Sequence, residues 1–181
     1  MKNLPNILTA SRILVIPPLV VAFYMPAPEG NWIAFVLYTL AAVTDFFDGY
    51  VARAMKATSR LGRFLDPIAD KLIVASTILL LVAFDRVVGI HIVACLVILG
   101  REILVSGLRE FLAELKVKMP VSILAKWKTT FQLVALGALI MGEAAPLWLP
   151  AEMVGLICLW IAAILTAYTG YAYLRAGLKH I

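Results

Sequence analysis

The sequence predicts an all-α integral membrane protein with six transmembrane helices and a short N-terminal interfacial helix, on three observations. Hydrophobic residues make up 63% of its 181 positions and charged residues only 15%, a balance too apolar for a soluble domain of ordinary composition. Apolar runs able to cross about 30 Å of hydrocarbon recur at 12–27, 31–54, 66–84, 87–110, 122–141 and 148–174. The basic residues are also asymmetric: with the N-terminus cytoplasmic, only Arg86 falls on the far side, which otherwise carries Glu29, Asp85, Glu143 and Glu152. This is the positive-inside pattern. It places both termini and the polar 53–71 region in the cytoplasm, and makes residues 1–181 one membrane-embedded domain. The net charge of +5 then reflects topology and anionic headgroups, with no need of a nucleic-acid partner.

Residues 2–12, KNLPNILTASR, mix apolar positions with Asn6, Thr9 and Arg12, as an interfacial helix does. Pro17 and Pro18 remove backbone donors within the first run, so a local irregularity is expected there. They also interrupt the only signal-peptide-like stretch, and no small-residue cleavage site follows it. The second run leads into Asp45 and Asp48. The third opens at Asp66-Pro67, either as an N-cap followed by a first-turn proline or as a longer helix carrying Pro67 inside it.

The fourth run turns polar after Leu99, through Arg101, Glu102, Ser106, Arg109 and Glu110. Arg101 and Arg109 are eight residues apart, within about a quarter turn of each other on an ideal helix. They are placed either to share one anion or to pair and snorkel separately. The fifth run begins AKWKTTFQ, where Lys126, Thr129 and Thr130 share a face. In the sixth, Trp148, Trp160, Tyr168, Tyr171 and Tyr173 read as an aromatic belt. Cys95 and Cys158 fall inside predicted spans as buried thiols, Lys71 reads as a snorkelling residue, and neither His91 nor His180 is assigned a role.

The stretch DFFDGYVARAMKATSRLGRFLDPIAD, Asp45 to Asp70, carries the chemistry. If its flanks are helical, Asp45 and Asp48 share one helix face and Asp66 and Asp70 another. Four carboxylates gathered at a bilayer edge require a cation. Oxygen donors without His or Cys favour Mg²⁺ or Mn²⁺ over zinc, and two pairs suit a two-metal site for phosphate displacement. Gly49, Ala52 and Gly62 allow close approach of a ligand, while Arg53, Arg60 and Arg63 offer planar donors to phosphate oxygens.

The spacing D-x-x-D-G-x-x-A-R, eight residues, G, three residues, D, three residues, D runs through Asp45, Asp48, Gly49, Ala52, Arg53, Gly62, Asp66 and Asp70. It resembles the signature of the CDP-alcohol phosphotransferases. The P-N-x-L-T-x-x-R pattern at Pro5, Asn6, Leu8, Thr9 and Arg12 resembles the segment that lies near the nucleotide in that family. R-E-I-x-x-S-x-L-R-E from Arg101 and K-x-K-T-T-x-Q from Lys126 resemble a branch that joins CDP-diacylglycerol to sn-glycerol 3-phosphate, with Ala125 where that pattern has Gly.

The resemblance implies that Asp45, Asp48, Asp66 and Asp70 bind two Mg²⁺ or Mn²⁺ ions, with Asp70 also the general base. It implies contacts to the CDP moiety from Asn6, Thr9, Asp45, Gly49, Ala52, Arg53 and Gly62. Arg12, Arg101, Arg109 and Lys126 are the candidates for the acceptor's phosphate. It further implies a homodimer making phosphatidylglycerol phosphate and CMP, and the lack of a transit peptide points to a bacterial plasma membrane. Cardiolipin-forming or phosphatidylinositol-phosphate-forming relatives share the chemistry. A membrane prenyltransferase would carry its acidic motifs on well-separated segments, and a divalent-cation transporter would spread acidic residues through the bilayer depth.

Overall fold

The computed structural model describes residues 11–55, 60–115 and 123–178, with the side chains of 45–55, 60–64, 66, 67 and 114 outside that description. Every regular element among the described residues is helical: α1 (Ile16–Phe23), α2 (Glu29–Met55), α3 (Arg60–Ala83), α4 (His91–Glu114), α5 (Ile123–Met141) and α6 (Ala151–Gly177), with a 3₁₀ turn at Gly142–Ala144. The expected all-helical membrane fold is what the chain adopts.

Three helical stretches are long and apolar enough to cross a bilayer by length and composition: His91–Ala113, Ile123–Ala144 and Ala151–Gly177. The 27 residues of α2 and 24 of α3 extend about 40 and 36 Å, but the aspartate-bearing ends dilute their apolar character. The first helical stretch is Ser11–Phe23, about 20 Å long and shorter than the run read from the sequence. The expected count of six spans therefore rests, for the second and third, on length and sequence pattern and, for the first, on sequence pattern alone.

The irregularity anticipated near Pro17 and Pro18 falls at Val15, a turn residue between helical residues 11–14 and α1, with the prolines in the first turn of α1. In α3 the helix begins at Arg60 and carries Pro67 inside it, the second of the two expected geometries. Asp66 and Asp70 thus share one continuous helix.

The most extensive packing is of α6 along α5 and then along α4, while α2 lies between α1 and α5. Small residues on α6 permit the close approach, as in many membrane bundles. A Cβ on Gly155 would come within 2.7 Å of Leu139 Cγ and 3.2 Å of its backbone nitrogen.

One end of the bundle is fastened by Arg86. It donates to the Ile140 carbonyl and to Asn31 Oδ1, each at 2.9 Å, and Asn31 Nδ2 donates to the Met141 carbonyl at 2.8 Å. The C-terminal carbonyls of α5, which lack intrahelical donors, are thereby bonded to α2 and to the turn after α3. Burial draws the Arg86 pKa down and Glu143 opposes that shift. Gly142 takes φ +48°, and a Cβ there would lie 2.9 Å from an Arg86 guanidinium nitrogen. At the same end Trp160 Nε1 donates to His91 Nδ1 at 3.0 Å. Cys95 is buried and Cys158 half-buried.

Candidate active site

A cavity of about 480 Å³ opens between the helices and receives side chains from every one of them except α1, whose place is taken by Arg12 just ahead of it. Its charged lining is lopsided: Arg12, Lys71, Arg101, Arg109 and Lys128 against Asp70 and Glu102. A second hollow of about 230 Å³ adjoins it, shares Lys71, Arg101, Glu102 and Arg109, and is bordered by Ser106 and Glu110. Ionisable groups on membrane helices are costly unless paired or turned to an aqueous cavity, and here both conditions are met.

Arg12, 3% exposed, pairs with the half-exposed carboxylate of Asp70. Lys128, buried on α5, pairs with Glu102 on α4, and an Arg101 terminal nitrogen lies 3.6 Å from the same Glu102 oxygen. Glu102 is therefore shared by two cations. Tyr173, buried on α6, brings Arg109 beside Arg101: their guanidinium carbons each stand 5.7 Å from its ring centroid. Two cations over one ring is a cation–π arrangement, and it concentrates positive charge where a dianion would relieve the repulsion. Among the described residues Arg109 forms no ion pair. Arg101 also donates to Thr169 Oγ1 at 3.4 Å, and Gly170 leaves room for its stem, since a Cβ there would lie 2.8 Å from Arg101 Cγ.

The residues singled out from the sequence divide into three groups. Arg12, Asp70, Arg101 and Arg109 meet in the one cavity. Asn6 and Thr9 lie outside the described residues. Asp45, Asp48, Gly49, Ala52 and Arg53 stand on α2, and Gly62 and Asp66 on α3, with their side chains outside the description. The helical backbone meets the condition that puts Asp45 with Asp48, and Asp66 with Asp70, on one face each. Among the described residues no three His, Cys, Asp or Glu side chains are placed to hold a metal ion, and three of the four candidate carboxylates fall outside those residues.

Lys126 is exposed and does not line the cavity, while Lys128 does. Two residues along a helix turn about 200°, so the two lysines of K-x-K face nearly opposite ways. Thr129 lines the cavity and Thr130 does not. Tyr173, read as a belt aromatic, is a wall of the site. Tyr38, Glu102, Lys128 and Gln132 complete the set that sequence reasoning left out. The sequence does hold a signal for part of it: Lys128, Thr129 and Gln132 fall at i, i+1 and i+4, a short polar stripe along a largely apolar helix.

A profile of the CDP-alcohol phosphatidyltransferase family matches residues 2–168. The chain is 49% identical over 179 residues to the CDP-diacylglycerol–glycerol-3-phosphate 3-phosphatidyltransferase of Rickettsia felis, covering 99% of this chain and 97% of the relative. Relatives of the same name from Haemophilus influenzae and Pectobacterium atrosepticum are 42% identical over 177 residues and 41% over 180, in each case with 97% of this chain covered, and with 93% and 94% of the relative.

Proposed function

The chain belongs to the CDP-alcohol phosphatidyltransferase family, and from that premise we propose that it is a phosphatidylglycerophosphate synthase. It transfers the phosphatidyl group of CDP-diacylglycerol to sn-glycerol 3-phosphate, giving phosphatidylglycerol phosphate and CMP. The observation that carries this reading is the cavity in which Asp70 stands with Arg101 and Arg109. An acceptor with a hydroxyl to deprotonate and a dianionic phosphate to hold needs one carboxylate and an excess of cations in the same space. The near full-length likeness to relatives bearing that enzyme's name supports the choice of acceptor.

The donor chemistry fits a hard divalent cation. The candidate ligands are all carboxylates, and no His or Cys is among the described cavity residues. Asp45, Asp48, Asp66 and Asp70 would hold two Mg²⁺ or Mn²⁺ ions, which when bound would supply positive charge to offset that of the donor's pyrophosphate.

The chain's own groups do the rest. Asp70 takes the proton of the acceptor's 1-hydroxyl, and that oxygen forms a bond to the β-phosphorus as the bond from phosphorus to the CMP oxygen breaks. Arg53 steadies the leaving phosphate. Asn6, Thr9, Asp45, Gly49, Ala52, Arg53 and Gly62 surround the CDP moiety. Arg12 pairs with the Asp70 carboxylate and orients it. Arg101 and Arg109, held over Tyr173, bind the acceptor's phosphate, and Lys128, paired with Glu102, fixes that carboxylate away from the anion.

The enzyme works as one domain of six spans in a bacterial plasma membrane, as a homodimer, with both termini and the site at the cytoplasmic face. Supplying CDP-diacylglycerol in mixed micelles with ¹⁴C-glycerol 3-phosphate and Mg²⁺ tests the reaction: label passing into a lipid with the mass of phosphatidylglycerol phosphate is expected, and label remaining in the aqueous phase contradicts it.

A further inference from the structure

The cavity has a floor whose chemistry differs from its charged walls. Tyr38 on α2 is 3% exposed and Gln132 on α5 is 5% exposed, and both line the cavity. Tyr38 Oη and Gln132 Oε1 have no hydrogen-bond partner among the described residues, and neither does the buried Nε of Arg101. Buried polar atoms are normally satisfied, and leaving them bare in an apolar setting is costly.

Tyr38 and Gln132 also share a depth. Tyr38 lies nine residues from the start of α2 and Gln132 nine from the end of α5. Asn31 joins those two helix ends at the Arg86 side, so each residue stands about 14 Å from it. Asp70 and Lys128 are thirteen residues from the ends of α3 and α5, about one turn nearer the mouth.

We infer that Tyr38 and Gln132 form a subsite that reads an uncharged hydroxyl of the acceptor, the secondary hydroxyl of the glycerol unit. A hydroxyl both donates and accepts, and the floor offers one group of each kind: Gln132 Oε1 accepts its proton and Tyr38 Oη donates to its oxygen. A phosphate oxygen has no proton to give to the glutamine carbonyl, so the charged end of the acceptor belongs higher, at Arg101 and Arg109. With the phosphate there and the primary hydroxyl at Asp70, the middle carbon of a three-carbon chain is the part left to face the floor. This subsite rests on the acceptor proposed above and adds the basis of its selectivity. A site that bonds a substrate hydroxyl rejects the analogue lacking it, because its own polar groups are then stranded.

The test compares glycerol 3-phosphate with 3-hydroxypropyl phosphate, which keeps the phosphate and the primary hydroxyl and lacks only the secondary one. For the unaltered enzyme, kcat/KM with glycerol 3-phosphate exceeds that with the analogue by about 100-fold or more. In Tyr38→Phe and in Gln132→Met that ratio falls at least about tenfold, with the KM for CDP-diacylglycerol held as the check on a folded donor site. A ratio unchanged in the variants overturns the subsite and leaves the acceptor standing. Absence of turnover with glycerol 3-phosphate in the unaltered enzyme overturns the acceptor, and the subsite with it. Should one variant fail to accumulate, the ratio in the other decides.

Discussion

Arg12 and Asp70, 58 residues apart in the chain, are joined as an ion pair at the cavity wall. The pair ties the segment ahead of α1 to the second aspartate pair, so the last residue of the P-N-x-L-T-x-x-R pattern enters the same site as the D-x-x-x-D end of the signature. Replacing Asp70 with Asn is expected to lower kcat by about 10³-fold or more, since a general base alone contributes about 10²- to 10⁴-fold, while the protein still accumulates in the membrane. Arg12→Gln keeps the proposed base and should cost less, about tenfold in kcat/KM. CMP release by the two purified variants checks both, and a near-normal rate in Asp70→Asn rejects the base assignment.

Tyr173 is the common support of Arg101 and Arg109. Arg109→Ala should raise the KM for glycerol 3-phosphate about tenfold or more and change kcat less. Tyr173→Leu keeps both charges and removes the ring; with cation–π contacts worth about 0.5–2 kcal/mol, a rise in KM of about 3- to 30-fold is expected. Initial rates against acceptor concentration separate the two effects, and an unchanged KM in Arg109→Ala removes it from the phosphate site.

Lys126 and Lys128 make opposite predictions. Lys126→Met alters an exposed residue outside the cavity and should leave rate and melting temperature close to the parent's. Lys128→Met leaves Glu102 with only the more distant Arg101 contact. Breaking a buried pair costs about 3–5 kcal/mol, so a marked loss of thermal stability and of activity is expected. Adding Glu102→Gln to Lys128→Met should recover part of the stability, the non-additivity that marks a direct pair. Melting curves in detergent of the two single variants and the double variant provide the measurement.

Gly170 is expected to act through Arg101. An alanine methyl there would meet Arg101 Cγ at 2.8 Å, an atom too near the backbone to swing aside cheaply. Gly170→Ala should raise the KM for glycerol 3-phosphate several-fold while leaving the KM for CDP-diacylglycerol within about twofold, because a shift confined to one guanidinium disturbs only the acceptor side. Equal changes in both constants would assign Gly170 to helix packing alone.

The helices and their order were legible because apolar runs broken by charged and turn-forming stretches report where helices lie. The start of α3 was less so: Asp66-Pro67 looks like a helix beginning, yet the helix already runs from Arg60, since one proline removes a single donor and the surrounding turns tolerate it. Arg101 and Arg109 were legible as a pair from their eight-residue spacing. Lys128 and Tyr173 were not. Hydropathy cannot tell a residue facing lipid from one facing an internal cavity, and K-x-K presents two lysines of which only the register of α5 against α4 selects one. Tyr38 and Gln132 were hidden for a related reason: a lone polar atom in an apolar helix acquires meaning only when its neighbours are seen not to satisfy it.

The acceptor is the central claim, and CMP release tests it most directly. Purified protein in mixed micelles with CDP-diacylglycerol and Mg²⁺ would be offered glycerol 3-phosphate, inositol phosphate, serine or phosphatidylglycerol in separate reactions. The account predicts turnover with glycerol 3-phosphate that exceeds each of the others by at least about 100-fold. Preferential turnover with any other acceptor would contradict it and would reassign Arg101, Arg109 and the floor beneath them.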